Sequence, residues 1–157
     1  MTHIETQTEI RVPPRHLFAF FVPQRMGYWY GPEAQTQFEV SDGSAEFGVA
    51  QKVRVSGRIA SREVAHTVVV TECRWADVLE WRFEDRTGLR GIERWDFQAT
   101  EIDGAPGTLL RMRSDYKVTG MVARAANWMI TRHAVARRNR EYLARLKRLA
   151  EHGSQES

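Results

Sequence analysis

The sequence predicts an α+β fold in which a curved antiparallel sheet wraps around one long C-terminal helix. Three observations predict it. A strand runs into a short helix at the start, alternating strands broken by turn residues fill residues 34–118, and helical periodicity extends from 121 to 149. The apolar face of such a sheet needs a cover, and a straight helix against a curled sheet leaves space between them. We therefore expect an internal apolar pocket.

The opening strand is predicted over residues 3–12, where apolar residues share one parity and polar residues share the other. Pro13 and Pro14 end it. Because proline is tolerated in the first turn of a helix, Pro14 can start a short helix rich in phenylalanine. This helix is expected to end near Pro23, and an aromatic loop at 26–32 follows.

Residues 34–118 predict a meander of antiparallel strands. A strand is expected from Phe47 to Gly57, and residues 64–75 are rich in β-branched side chains. The last strands alternate clearly, so their parity indicates which side chains face the core. These side chains are Leu79, Trp81 and Phe83, then Glu93, Trp95 and Phe97, and finally Leu110, Met112, Ser114 and Tyr116.

The last element is predicted as a long amphipathic helix. Its stripe has a strict 4-3 spacing, which keeps residues on one helix face. The stripe consists of Met121, Ala125, Trp128, Arg132, Val135, Asn139, Tyr142, Leu146 and Leu149. The spacing also permits a coiled-coil dimer, so monomer and homodimer both stay open. We expect one domain over residues 1–152 and a disordered polar tail at 153–157.

Composition limits the class of protein. With Cys73 as the one cysteine of 157 residues, no disulfide can form within the chain. No apolar run is long enough to span a bilayer, and the N-terminus lacks the pattern of a secretory signal. We therefore expect a cytoplasmic protein without a transmembrane segment.

The net charge of +3 is unevenly distributed. Residues 119–152 contain eight lysines or arginines and two acidic residues. A helix of this charge can contact an anionic membrane or nucleic acid. Because no base-reading motif accompanies it, we expect no nucleic-acid partner and keep peripheral contact with an anionic membrane as an open alternative.

Catalytic and metal-binding motifs are missing from the sequence. It has no GxSxG elbow, no phosphate-binding glycine loop and no HExxH. The histidines lack metal-ligand spacing; they are His3, His16, His66, His133 and His152. We expect neither a metal nor a cofactor.

Three segments carry a resemblance to a known family. They are IETQTEIRVPPRHLFAFFVPQRMGYWY at the start, GIERWDFQAT followed by GTLLRMRSDYKV as the last hairpin, and HAVARRNREYLARLKRLAE in the helix. Over residues 3–151 the chain resembles the helix-grip superfamily of START lipid-transfer domains, birch-pollen-allergen-like proteins and polyketide cyclase/dehydrase-like bacterial proteins. The resemblance implies a pocket and leaves its chemistry open.

Arg132 and Glu93 are the polar residues that stand out. Arg132 lies on the apolar helix face, where a charge must be paired or hydrated. Glu93 occupies an inward-facing strand position from which it could pair with Arg132. With Tyr116 they form a candidate polar anchor inside the pocket, and the alternative is a structural ion pair. The predicted ligand-binding residues are Trp29, Phe38, Trp81, Glu93, Trp95, Met112, Tyr116, Trp128 and Arg132.

Three functions are compatible with these features. The first is binding of an apolar or aromatic small molecule, such as a lipid, quinone or polyketide, in the internal cavity. The second is an enzyme of cyclase, aromatase or dehydratase type, for which Glu93, Tyr116 and Arg132 are the candidate catalytic residues. The third is an interaction module that uses the basic C-terminal helix.

Overall fold

The computed structural model describes residues 1–84, 89–118 and 121–153, with side chains for 1–84, 89–117 and 132–153. The strands are β1 (Thr2–Ile10), β2 (Gln37–Val40), β3 (Lys52–Ile59), β4 (Arg62–Arg74), β5 (Val78–Glu84), β6 (Leu89–Ile102) and β7 (Ala105–Val118). The helices are α1 (Pro14–Leu17), α2 (Pro23–Met26) and α3 (Met121–Gly153), with 3-10 turns at Phe18–Phe20 and Pro32–Ala34.

The described strands form one antiparallel sheet in the order β1-β7-β6-β5-β4-β3-β2. Consecutive strands from β2 to β7 are paired with each other, as short turns require. Strand β1 crosses over to pair with β7. The sheet curves around α3, which packs along β1. The predicted α+β class, the curved sheet and the long C-terminal helix are all confirmed.

Strand register arranges the inward side chains of β5, β6 and β7 in rows. The first row is Leu79, Trp95 and Met112; the second is Trp81, Glu93 and Ser114; the third is Phe83, Gly91 and Tyr116. From one row to the next, the central residue changes from tryptophan to glutamate to glycine. The sheet surface therefore passes from a packed region, through a buried charge, to a region with no central side chain.

The packed region is an aromatic cluster. Trp29, Trp81 and Trp95 are fully buried. The rings of Trp81 and Trp95 meet edge to face with centroids 4.9 Å apart, and Phe21 lies 4.8 Å from Trp29. Each buried aromatic ring adds both apolar area and favourable ring contacts, so this cluster contributes much of the stability of the fold.

The C-terminal half of α3 covers this region. Its buried residues are Asn139, Tyr142, Leu143, Leu146 and Ala150. Arg145 Nη1 donates to the carbonyl oxygen of Trp29 at 3.3 Å, which ties the helix to the aromatic loop. The predicted stripe is thus confirmed at Asn139, Tyr142 and Leu146. The buried face also includes Leu143 and Ala150, because positions at a 4-3 spacing rotate slowly around the axis of a straight helix.

Two local expectations differ from the structure, and a third stays a prediction. The helix after β1 is interrupted, so that α1, a 3-10 turn and α2 replace a single segment. The strand expected from Phe47 begins at Lys52, because Ala50 has a φ of 72° that breaks an extended strand. Of the tail expected at 153–157, Gly153 ends α3 and the rest lies outside the described residues.

Gly91 allows the close approach of β6 and β7. A Cβ atom at this position would lie 2.0 Å from the carbonyl oxygen of Asp115 and 2.6 Å from Cα of Tyr116, both backbone atoms that cannot move aside. Gly91→Ala is therefore expected to lower the free energy of unfolding by about 2–3 kcal/mol. Urea unfolding measures the change. Gly153→Ala is the control, because a Cβ there meets nothing within 4 Å; equal stability of the two variants would contradict the prediction.

Candidate functional site

A cavity of about 570 Å³ lies between the sheet and α3. Its volume is within the range of small-molecule sites. The walls come from β3 to β7, the 3-10 turn at Pro32–Ala34 and α3. Apolar and aromatic groups form much of the lining, among them Tyr30, Val55, Phe83, Leu89, Val135 and Tyr142.

Glu93 lies at the end of the cavity that adjoins the packed core. It is 3% exposed, and three donors from separate parts of the chain satisfy its carboxylate. Oε1 accepts from the hydroxyl of Tyr30 at 2.8 Å and from Nε1 of Trp81 at 3.4 Å. Oε2 forms an ion pair with Nη2 of Arg138 at 3.2 Å. A buried carboxylate requires such partners, since an unpaired one would be too costly.

Arg138 supplies the positive charge from α3. Two neighbouring aromatic rings lie on one side of its guanidinium, with the ring centroid of Tyr142 at 5.2 Å and that of Tyr30 at 5.9 Å from Cζ. Burial is the largest single effect and opposes its charge, but the combined attraction of Glu93 and the nearby tyrosines outweighs it and raises the pKa of Arg138 above its ordinary value. The side chain is 36% exposed and borders the cavity, so the guanidinium stays charged and open to a ligand.

Two neighbouring polar residues fix the helix above this pair. Asn139 Oδ1 accepts from Nη2 of Arg138 at 3.1 Å, and its Nδ2 donates to Oγ of Ser114 at 2.9 Å. Both Asn139 and Ser114 are buried. The contact therefore sets the position of α3 relative to β7 through a satisfied hydrogen bond rather than through packing alone.

Tyr116 brings an unused hydroxyl to the same cavity. The residue is 2% exposed, and among the described residues its hydroxyl has no hydrogen-bond partner. Burial raises the pKa of Tyr116, while the positive charges of Arg132 and Arg138 act in the opposite direction. The hydroxyl thus stays protonated at neutral pH and can donate to a ligand.

The structure places the predicted site residues in three environments: the cavity wall, the buried core cluster and, for Arg132, the exposed surface of α3. Glu93 and Tyr116 line the cavity. The predicted residues that are buried in the core cluster instead are Trp29, Phe38, Trp81, Trp95 and Met112. Their roles in ligand binding remain predictions.

The structure pairs Glu93 with Arg138, where the sequence predicts a pair with Arg132. Arg132 is exposed, whereas Asn139, one heptad later on the same helix face, is buried. Between these two described residues, the helix face passes from exposed to buried. The side chain of Trp128 lies outside the described residues.

Sequence reasoning missed Tyr30, Tyr142 and Arg138 as cavity residues. Tyr142 belongs to the helix stripe, whose periodicity indicates burial but does not separate a core position from a cavity wall. Arg138 is adjacent to the stripe residue Asn139, and its long side chain reaches around the helix to Glu93. A search for any cation within one position of the stripe would have found it.

The chain belongs to the family described as polyketide cyclase / dehydrase and lipid transport, which matches residues 1–151. The expected resemblance to helix-grip proteins is thereby confirmed. Fold and family together support a role in binding a hydrophobic ligand. No match was found among curated proteins.

Solved structures share the fold. TTHA0849 from Thermus thermophilus is 15% identical with a TM-score of 0.68, covering 98% of this chain and 99% of that one. DR_A0006 from Deinococcus radiodurans is 18% identical with a TM-score of 0.63, covering 98% and 99%. DynU16, described as a putative protein in the dynemicin biosynthetic locus, is 15% identical with a TM-score of 0.65, covering 96% and 48%. Such identities show the fold alone.

Within the described part of the chain, no helix has the length and apolarity needed to cross a membrane.

Tyr142 is expected to make the free energy of unfolding depend on pH. Burial raises its pKa to about 12, from an ordinary value of 10.0. Below pH 10 the folded and unfolded states are both protonated. Between pH 10 and about 12 the unfolded state loses its proton first, so stability falls, by up to about 3 kcal/mol from this group.

Tyr142→Phe is expected to reduce the loss of stability across this pH interval. Urea unfolding at several pH values from 9 to 12 measures the slope for each protein. Tyr28→Phe is the control because Tyr28 is 63% exposed. Identical slopes for wild type and Tyr142→Phe would show that burial does not hold the proton on this phenol.

Proposed function

We propose that this protein binds an apolar or aromatic small molecule that carries one polar group. The observation that carries the proposal is the cavity of about 570 Å³ with an ion pair between buried Glu93 and partly exposed Arg138 at its inner end. Apolar walls provide affinity through burial, and a few placed polar groups provide orientation. The polar group of the ligand lies at Arg138 and Tyr116, and the ring or chain lies against the aromatic walls.

The cost of the ion pair supports this function. Burying the Glu93 carboxylate is expensive, and well-packed apolar residues often replace a buried ion pair with no loss of stability. Here the guanidinium also keeps part of its surface toward an open cavity. A pair arranged in this way is better suited to holding a ligand than to stabilising the fold.

A cyclase, aromatase or dehydratase activity in the same cavity is the second candidate. The family description and the protonated hydroxyl of Tyr116 favour it, because such reactions need a placed proton donor. Glu93 is less suited to act as the base, since Tyr30, Trp81 and Arg138 already donate to its oxygens. Turnover of an enolizable polyketide-like substrate that is equal in wild type and Glu93→Gln would argue against catalysis by this carboxylate.

Native mass spectrometry of freshly purified protein tests binding while the ligand is still unidentified. The expected result is a species heavier than the chain that loses a small molecule on collisional activation. A fluorescence titration with 1-anilinonaphthalene-8-sulfonate, an aromatic probe, gives an independent measure of access to the cavity.

Val135→Trp is expected to block the cavity. Val135 lines the cavity from α3, one turn before Arg138, so an indole there takes the space of a bound ring. We expect about tenfold weaker probe binding with an unchanged helical spectrum. Ala134→Trp is the matched control, because Ala134 is exposed on the same turn. Equal weakening by both variants would place the bound probe outside the cavity.

A further inference from the structure

We propose that the polar group of the ligand is an anionic oxygen, as in a carboxylate, phenolate or enolate, held by Nη1 of Arg138 and the hydroxyl of Tyr116. This inference rests on the proposed ligand-binding function and adds the chemical class of the ligand. The balance between hydrogen-bond donors and acceptors at the inner end of the cavity leads to it.

The acceptors at this end are already engaged. The carboxylate of Glu93 receives hydrogen bonds from Tyr30, Trp81 and Arg138. Oδ1 of Asn139 accepts twice from Arg138, at 3.1 and 3.3 Å. Oγ of Ser114 accepts from Asn139 at 2.9 Å. A ligand that offers only N–H or O–H groups would leave the free N–H groups of Arg138 without an acceptor.

Two donors, in contrast, are unused. The guanidinium of Arg138 donates through Nε and Nη2 to Asn139 and through Nη2 to Glu93, and its Nη1 has no partner among the described residues. The hydroxyl of Tyr116 likewise has none within the ranges that the structure describes. Both residues line the same cavity. An oxygen placed between them would complete two hydrogen bonds that the protein leaves open.

The local charge favours an anion over a neutral carbonyl. The positive charges of Arg132 and Arg138 both act on the Tyr116 hydroxyl, against the effect of its burial. Glu93 offsets one of these charges, but its carboxylate engages Nη2 of Arg138 and leaves the Nη1 donors available. Hydrogen bonds from a charged donor to an anion are the strongest that a protein can offer.

The rings of Tyr30 and Tyr142 narrow the geometry further. Their centroids lie 5.9 and 5.2 Å from the Arg138 guanidinium carbon and 4.5 Å from each other, so both rings occupy one side of the guanidinium. A ligand oxygen is therefore expected to approach from the side away from these rings, where it accepts from the Nη1 N–H groups. A flat aromatic acid or phenolate fits this approach, because its ring extends away from the oxygen toward the apolar walls.

Three probes with one ring system test the inference. They are 2-naphthoate, 2-methylnaphthalene and 2-naphthylmethylammonium, which differ in the charge of a single substituent. Competition against 1-anilinonaphthalene-8-sulfonate gives their affinities at pH 7.5. The naphthoate is expected to bind at least about tenfold more tightly than the methyl compound, and the ammonium compound most weakly.

Tyr116→Phe separates binding from folding. Because its hydroxyl lacks a partner in the described structure, its removal should leave the free energy of unfolding unchanged or higher. The same variant should lose about tenfold in affinity for 2-naphthoate and keep its affinity for 2-methylnaphthalene. Tyr28→Phe, at an exposed tyrosine, is the control and should change neither. A structural role for the hydroxyl would instead lower stability and weaken both probes together.

The double variant Arg138→Met with Glu93→Gln tests the guanidinium without leaving a buried charge unpaired. Its folded state is checked by circular dichroism. It should bind all three probes with similar affinity. Equal affinities for the three probes in wild type would overturn the anionic ligand and leave the proposed binding function standing. No binding of any probe, in a protein that also carries no co-purified ligand, would overturn both.

Discussion

A carboxylate buried between a sheet and a helix must be satisfied from several directions, and the arrangement around Glu93 follows from this constraint. Tyr30 reaches it from the aromatic loop, Trp81 from β5 and Arg138 from α3. The three segments are far apart in sequence. One ionised group therefore coordinates the loop, the sheet and the helix, and the loss of any partner would leave charge or polarity unpaired inside the protein.

The same carboxylate marks the boundary between solid core and open space. On one side, Trp95 and Met112 pack within the aromatic cluster; on the other, Gly91 leaves the centre of its row empty beside Tyr116. The cavity begins at this carboxylate and continues along the third row, where Phe83 and Tyr116 line it.

Much of this arrangement could be predicted from sequence, because a strand alternates with a period of two. Parity alone predicts Glu93 and Tyr116 on the inner face, and both are buried. Parity could not predict which inward residues belong to the core and which line the cavity. Trp95 and Glu93 share a face of β6, and they are distinguished by their partners on β7, which are Met112 and Ser114. Strand pairing is a long-range property that parity does not contain.

The partner of Glu93 was harder to predict for a reason specific to helices. A 4-3 spacing departs slowly from the true helical period, so a stripe over four heptads does not identify which turn meets the sheet. Arg132 and Asn139 share a face, yet the packing reaches only the second of them. Arg138 lies beside the stripe and reaches its partner through the length of its side chain, which a face assignment based on Cα positions ignores.

The lining of the third row has a consequence for how the cavity can be reshaped. Phe83 and Tyr116 in this row and Val135 on α3 all line the cavity, so the sizes of these side chains contribute to its volume. Those three side chains can change in length while the strand pairing and the ion pair at Glu93 persist. Cavity volume and backbone fold are therefore encoded largely by different residues, so the space inside the molecule can be altered by substitutions that leave its architecture in place.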